Sequence, residues 1–284
     1  TAAELTQPKR KTAMATAALA MTPEPIAELR GRSRGHLSIV GIGPGQEVVC
    51  PSFTFVSTAN AVLRVGARPV FADIEDETLG LDVEDVARRI TSRTAAIMPG
   101  HYASVAPDMD RLLELARDRD LRVVEDAAQA LGSRWRGRAL GTLGDAGCFS
   151  FHESKNVTCG EGGALALVDP DLAHRAEIIR EKGTNRSAFL RGEVDKYSWV
   201  LEGSSYVLSD VLAAILDAQL DKLEQIQARR EQLVAGYRQR HVDAVEGHPI
   251  DQLLPSIPLS SSRPGSSVPA DPQHENGRDC QSLA

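Results

Sequence analysis

The alternation of strand-like and helix-like segments between residues 47 and 126 most constrains the fold. The predicted strands are EVVCPSFTF (47–55), RPVFADI (68–74), AAIMPGHY (95–102) and LRVVED (121–126). The segments between them, at 57–65, 83–90 and 109–119, have the character of helices, and Asp82 is placed to cap the second. Strands that alternate with helices at this spacing predict βαβ units, an α/β fold and a mostly parallel sheet.

Chemically useful side chains fall at the ends of these predicted strands. Phe55 follows the first strand, His101 and Tyr102 end the third, and Asp126 ends the fourth. A further strand leads into the segment 150–155. In parallel sheets, ligands bind outside the carboxyl ends of the strands. We therefore expect these residues to share one active-site face, although the sequence assigns no fixed role to His101 or Tyr102.

Lys155 is the strongest single candidate for chemistry. It lies in CFSFHESKNVTCGEGGA (148–164), between an apolar run and a cluster of glycines at 160, 162 and 163. The glycines predict a backbone turn that side chains would obstruct. A lysine held there is partly desolvated, which favours the neutral amine that a Schiff base with an aldehyde or ketone requires. The alternative is a solvent-facing loop lysine, the commoner fate of a lone lysine.

Composition limits the classes of partner. The chain has 284 residues, 42% of them apolar, which suits one large α/β domain with extra material. The net charge of −7 argues against nucleic acid or an anionic membrane as the main partner. The four cysteines lack zinc-ligand spacing, so we predict no metal site and reduced thiols in a cytoplasmic protein. No run of eighteen apolar residues occurs, so no membrane span is predicted.

Several motifs together resemble one enzyme family. PSFTFVSTANA, VVEDAAQALGS, RGRALGTLGDAGCFSFHESKN and GEGGA are similar to the DegT/DnrJ/EryC1/StrS sugar aminotransferases, over about residues 41–240. The resemblance implies a pyridoxal 5'-phosphate enzyme with an aspartate-aminotransferase-like (fold type I) large domain. The stretch REKGTNRSAFLRGEVDKYSWVLEGSSYVLSD (180–210) resembles members that use a dTDP-sugar, dTDP-4-keto-6-deoxyglucose, with L-glutamate as amine donor. The resemblance to the family also implies a homodimer with active sites at the subunit interface.

The resemblance implies a role for each of five residues. Lys155 binds the cofactor covalently and moves the proton, and Asp126 pairs with the protonated ring nitrogen. Gln129 lies near the ring oxygen, Phe55 stacks on the ring, and Ser150 holds the phosphate. Judged from the residue types alone, other fates stay open. Asp126 is equally suited to cap the segment that follows it, Phe55 to fill a core, and Gln129 to face solvent.

The sequence departs from the family pattern in three places. Ser205 stands where many relatives have an asparagine that reaches the neighbouring subunit's phosphate site. Just before GIGPG the family has a motif of small residues that binds phosphate. Here a similar segment occurs only at 16–19, too far upstream. Residues 241–284 read as a Pro/Ser-rich disordered tail, so we expect the small C-terminal domain to be largely missing. We expect residues 1–40 to be an atypical segment and 41–240 the cofactor-binding domain, with a frameshift as one origin of the unusual ends.

The pattern also predicts one long amphipathic helix at 208–233, packed on the large domain rather than forming a coiled coil. Three functions remain open. The first is a working sugar aminotransferase. The second is a relative with other chemistry, such as the family's sugar dehydratases, which have histidine in place of the lysine. The third is a truncated or regulatory protein without catalysis, which the predicted loss of the small domain favours.

Overall fold

A six-stranded sheet forms the centre of the computed structural model, which describes residues 36–241. The strands are β1 (Glu47–Pro51), β2 (Arg68–Ala72), β3 (Thr94–Ile97), β4 (Arg122–Asp126), β7 (Ala146–Ser150) and β8 (Gly163–Leu167). Their order in the sheet is β2-β1-β3-β4-β7-β8. The first five strands in that order are parallel, and β8 runs antiparallel to β7. The predicted α/β class with a mostly parallel sheet is confirmed.

Eight helices and a small hairpin complete the described residues. The hairpin pairs β5 (Arg134–Trp135) with β6 (Arg138–Ala139). The helices are α1 (His36–Ile39), α2 (Ser57–Arg64), α3 (Val83–Arg89), α4 (Met109–Asp118), α5 (Pro170–Arg180), α6 (Arg186–Leu190), α7 (Asp210–Leu220) and α8 (Leu223–His241). Side-chain caps set several helix starts. Asp82 accepts from the backbone N–H groups of Glu84 and Asp85, as the sequence predicts, and Asp108 and Asp169 cap α4 and α5.

The sheet is buried on both faces by apolar side chains. On one face, α1, α2 and α5 cover a cluster that includes Leu37, Val62, Val124 and Ile179. On the other face, α3 and α4 cover a second cluster, which contains Val86, Leu112, Val123 and Leu143. A third cluster lies beneath the loop that carries Lys155 and contains Phe151, Val157, Leu208 and Leu216. Burial on both faces explains why the parallel strands are near-continuous apolar runs in the sequence.

Three sequence predictions about the elements were wrong. The strand predicted at 47–55 ends at Pro51, so that Phe55 lies in the loop before α2. The helix predicted at 208–233 is two helices, α7 and α8, separated by a turn at Asp221 and Lys222. The strand predicted at 95–102 ends at Ile97, so that His101 and Tyr102 belong to the loop and short 3₁₀ turn that follow. The small-residue segment at 16–19 and the tail beyond 241 lie outside the described residues. Within residues 36–241, no helix has the length and apolar character to cross a membrane.

Candidate active site

Asp126 ends β4 at the carboxyl edge of the sheet, between the ends of β3 and β7. Its carboxylate is half-buried and accepts two hydrogen bonds from neutral donors. Thr58 in α2 donates to Oδ2 at 2.6 Å, and the backbone N–H of Ala128 donates to Oδ1 at 3.2 Å. Thr58 also pairs with Thr54 at 2.8 Å. These contacts orient the carboxylate, and both donors are uncharged groups.

The loop after β7 carries Lys155. The backbone N–H of Lys155 donates to the carbonyl of His152 at 2.9 Å, closing a turn that holds the half-buried lysine. Gly160 has a φ of +93°, and a Cβ on Gly162 would lie 2.7 Å from Cys159 Sγ, so the backbone conformation favours glycine at 160 and the close packing favours it at 162. The loop therefore rests tightly against β7 and the third apolar cluster.

One cavity of about 630 Å³ brings three of the five predicted site residues together. Gln129, Ser150 and Lys155 all line it. The opposite wall comes from α8, whose lining residues are Gln227, Arg230, Glu231 and Val234. Gln227 Nε2 donates to the carbonyl of Leu131 at 3.1 Å and so holds α8 against the loop after β4. The cavity combines an amine, a hydroxyl and an amide at the sheet edge, with cationic groups on its rim.

Phe55 and Asp126 are not among the residues that line this cavity. Phe55 lies after β1, just before α2, with 72% of its surface exposed, so it does not fill the core of the described chain. Its ring is free to cover a flat ligand. Tyr102 is instead engaged with Phe53, their ring centroids lying 4.7 Å apart.

Sequence reasoning missed Glu125 and the role of His101. Both side chains are fully buried, and His101 Nε2 lies 2.8 Å from Glu125 Oε2. Glu125 also accepts from the backbone N–H groups of Gly141, Leu143 and Gly144 at 2.6–2.8 Å. Burial alone would raise the pKa of Glu125, but the His101 ring and these N–H groups hold that pKa below its ordinary value. The only signal in the sequence was a second carboxylate at the end of a buried strand.

The thiols near the site are poor nucleophiles. Burial raises the pKa of Cys148, and the neighbouring Asp126 and Glu125 carboxylates raise it further. Burial raises the pKa of Cys50 to about 12. Because the thiolate is the reactive form of cysteine, both side chains stay neutral near pH 7. Lys155 contributes a primary amine to the lining of the cavity.

The chain is similar to known proteins over most of its length. The model of the DegT/DnrJ/EryC1/StrS aminotransferase family matches residues 35–253. GDP-perosamine synthase of Caulobacter vibrioides is 40% identical over 217 residues, which cover 76% of this chain and 57% of that protein. The crystal structure of S. venezuelae DesV is 39% identical with a TM-score of 0.66, covering 72% of this chain and 53% of the other.

A structure from Streptococcus pneumoniae links this fold to the cofactor. The PLP form of Spr1654, described as a sugar aminotransferase, is 28% identical with a TM-score of 0.66, covering 72% of this chain and 56% of the other. The present chain thus spans little more than half the length of these relatives. Its mostly parallel sheet has the fold of these proteins, one of which is solved in a PLP form. The chain belongs to the DegT/DnrJ/EryC1/StrS aminotransferase family.

Proposed function

We propose that this chain carries the cofactor site of an aminotransferase that moves an amine from L-glutamate to a nucleotide-linked 4-keto-6-deoxy sugar. The observation that carries the proposal is the shared cavity of Lys155, Ser150 and Gln129 at the sheet edge that Asp126 ends. A catalytic site of this kind needs a nucleophilic amine, groups that bind phosphate, and a charged group for the ring. The described residues supply all three.

The residues present fit pyridoxal 5'-phosphate chemically. Among the described residues, Asp126 accepts from a hydroxyl and a backbone N–H, and a carboxylate at the sheet edge suits a protonated ring nitrogen as its cationic partner. The hydroxyl of Ser150 accepts from the backbone N–H of His152 at 3.3 Å, so its own hydrogen can be donated to a phosphate oxygen. The cofactor, when bound, supplies an electron sink for the carbon that gains or loses the amine.

Each residue then has a defined task. Lys155 would hold the cofactor through its amine and would carry the proton to and from the amine-bearing carbon of the substrate. Asp126 keeps the ring nitrogen protonated. Gln129 donates a hydrogen bond to the ring oxygen, Ser150 holds the phosphate, and Phe55 covers one face of the ring. Two arginines, Arg134 and Arg230, line the cavity against one carboxylate, Glu231, and this balance favours substrates that carry phosphate or carboxylate groups.

The substrate that we propose is dTDP-4-keto-6-deoxyglucose, which would make the enzyme a dTDP-4-amino-4,6-dideoxygalactose transaminase. The support is the stretch 180–210, which resembles the enzymes of that reaction. The similarity to GDP-perosamine synthase favours a GDP-linked sugar as the competing candidate. We further propose a cytoplasmic homodimer in which a second copy completes each site, with Ser205 in the place of the asparagine found in many relatives.

The cofactor test is an absorption spectrum of the full chain with pyridoxal phosphate. We expect a visible band that L-glutamate bleaches, and borohydride should fix the cofactor to Lys155, as peptide mass spectrometry would show. Lys155→Ala should lose both the band and the adduct. Lys222→Ala, which removes an exposed lysine at the turn between α7 and α8, is the matched control and should keep them. A band that survives in Lys155→Ala would overturn the assignment.

The substrate test compares turnover of L-glutamate with dTDP- and GDP-linked 4-keto-6-deoxy sugars. We expect a higher kcat/KM for the dTDP-linked sugar, with 2-oxoglutarate formed in equal amount to the amino sugar. A preference for the GDP-linked sugar would overturn the proposed substrate, and the proposed amine transfer would stand. Dehydration of the sugar without amine transfer would favour the dehydratase alternative, and cofactor binding without turnover would favour a chain without catalysis.

A further inference from the structure

The orientation of the Gln129 amide is fixed by the short turn between β3 and α4. The backbone N–H of Ala103 donates to Gln129 Oε1 at 2.7 Å, and Ser104 Oγ donates to the backbone carbonyl of Gln129. A backbone N–H can only donate, so the amide atom that meets it must be the oxygen. The NH₂ group of Gln129 is therefore left to donate to a ligand in the cavity that this residue lines.

This turn adopts a conformation that its residues do not favour. Ala103 has a φ of +50° and Ser104 a φ of +73°, both in the left-handed region that non-glycine residues rarely occupy. Such a conformation persists only where the surrounding structure determines it. Without an anchor, the turn would relax, and the N–H of Ala103 would no longer point at Gln129.

The anchor is the buried pair of His101 and Glu125. His101 directly precedes the turn, and its ring is held at 2.8 Å by a carboxylate that is itself bound by three backbone N–H groups from 141–144. The backbone N–H of His101 also donates to the carbonyl of Asp126 at 3.0 Å. The turn is thereby tied to the strand that carries Asp126 and, three residues later, Gln129.

We propose that His101 and Glu125 are positioning residues that lock the 102–104 turn and thereby make Gln129 a hydrogen-bond donor to an anionic oxygen of the bound ligand. Neither residue contacts that ligand. The ligand oxygen is the ring oxygen of the cofactor, so this inference rests on the proposed function. The sequence alone would allow Gln129 to present either its oxygen or its NH₂ group.

The first experiment needs no ligand. The side-chain NH₂ resonances of Gln129, assigned with Gln129→Ala in ¹⁵N-glutamine-labelled protein, should differ from those of glutamines whose side chains form no hydrogen bond. In His101→Asn and in Ala103→Pro they should move toward the values of those glutamines. Proline at 103 has no N–H to donate to Gln129 Oε1 and cannot adopt the left-handed conformation, and it leaves the buried pair untouched, so it keeps the test valid if His101→Asn folds poorly. Unchanged resonances in Ala103→Pro would overturn the proposal.

The second experiment is a double-mutant cycle on the dissociation constant of pyridoxal phosphate, measured by its absorption. His101→Asn should weaken binding by about 10-fold or more, the loss expected for one hydrogen bond to a charged oxygen. In the Gln129→Ala background the same change should cost less than about 2-fold, because the donor is already gone. Equal losses in both backgrounds would mean that His101 affects cofactor binding independently of Gln129, and would overturn the proposal. If the wild-type chain binds no cofactor, the proposed function fails, and the NMR result still decides the role of the turn.

Discussion

Replacing Glu47 by glutamine should destabilise the fold by about 2–4 kcal/mol at neutral pH. Glu47 is the first residue of β1, and its side chain is fully buried. The carboxylate forms ion pairs with Arg68 at the start of β2 and with Arg93 just before β3, and it accepts from the Thr91 hydroxyl at 2.7 Å. One side chain thus joins the starts of three neighbouring strands.

The magnitude follows from the contacts and their exposure. A hydrogen bond to a charged group contributes about 1.5–3 kcal/mol, so losing both arginine contacts outright would remove about 3–6 kcal/mol. Glutamine keeps one acceptor oxygen, however, and turns an NH₂ group toward the remaining donors. The Arg68 and Arg93 side chains are 64% and 62% exposed, so water can replace part of what they lose. The retained acceptor oxygen and the exposure of the two arginines reduce the loss to about 2–4 kcal/mol.

The same contacts make this contribution depend on pH. The Thr91 hydroxyl, followed by the Arg68 and Arg93 guanidinium groups, lowers the pKa of Glu47 to about 2. Because the folded pKa lies below that of the unfolded chain, the stabilisation is fully present above the ordinary glutamate pKa, about 4.3. It is lost as the pH falls from there through about 2. The difference between the wild type and Glu47→Gln should therefore shrink in acid.

The assay is urea unfolding followed by far-ultraviolet circular dichroism at several values between neutral pH and the acid limit of folding. Glu77→Gln, which removes an exposed carboxylate after β2, is the matched control and should change the free energy of unfolding by less than about 0.5 kcal/mol. A Glu47→Gln variant as stable as this control, or a difference that does not shrink in acid, would refute the reasoning.

Three further predictions follow from the packing around the site. Thr58→Val should lower the free energy of unfolding by about 1.5–3 kcal/mol in the same urea assay, because it removes the donor to Asp126. Gly147→Ala should destabilise by about 3 kcal/mol, since the added Cβ would lie 2.0 Å from the carbonyl oxygen of Gly141. Iodoacetamide at pH 8 should leave Cys148 unmodified in the folded chain and label it in urea, as peptide mass spectrometry would show, because burial raises the pKa of that thiol.

The sequence predicted the elements whose apolar patterns are long and continuous. The alternating strands and helices and the Asp82 cap all follow from local patterns and were confirmed. The turn between α7 and α8 could not be predicted, because the apolar spacing continues across Asp221 and Lys222 without glycine or proline. Tertiary packing determines the position of this turn. Ile226 packs beneath the lysine loop, and Gln227 reaches the carbonyl of Leu131.

The candidate site was predictable only in part, again because tertiary contacts determine the rest. Lys155, Ser150 and Gln129 were named from motifs, and they line one cavity. The contact between Ala103 and Gln129 had no signal in the sequence, because nothing in PGHYAS indicates a left-handed turn at non-glycine residues. Contacts that depend on an unfavoured backbone conformation are fixed by distant residues, and a local pattern does not record them.

The two adjacent carboxylates at the end of β4 lie on opposite faces of the sheet, one buried in a structural contact and one beside the proposed cofactor site. Successive side chains of a strand point to opposite faces of the sheet. Glu125 therefore points to the α4 side, where His101 and the 141–144 turn bury it, and Asp126 points to the α2 side, where Thr58 leaves it half-buried. A shift of one residue in the register of β4 would exchange these positions. It would bury the carboxylate proposed for the cofactor and leave the turn that orients Gln129 without its anchor.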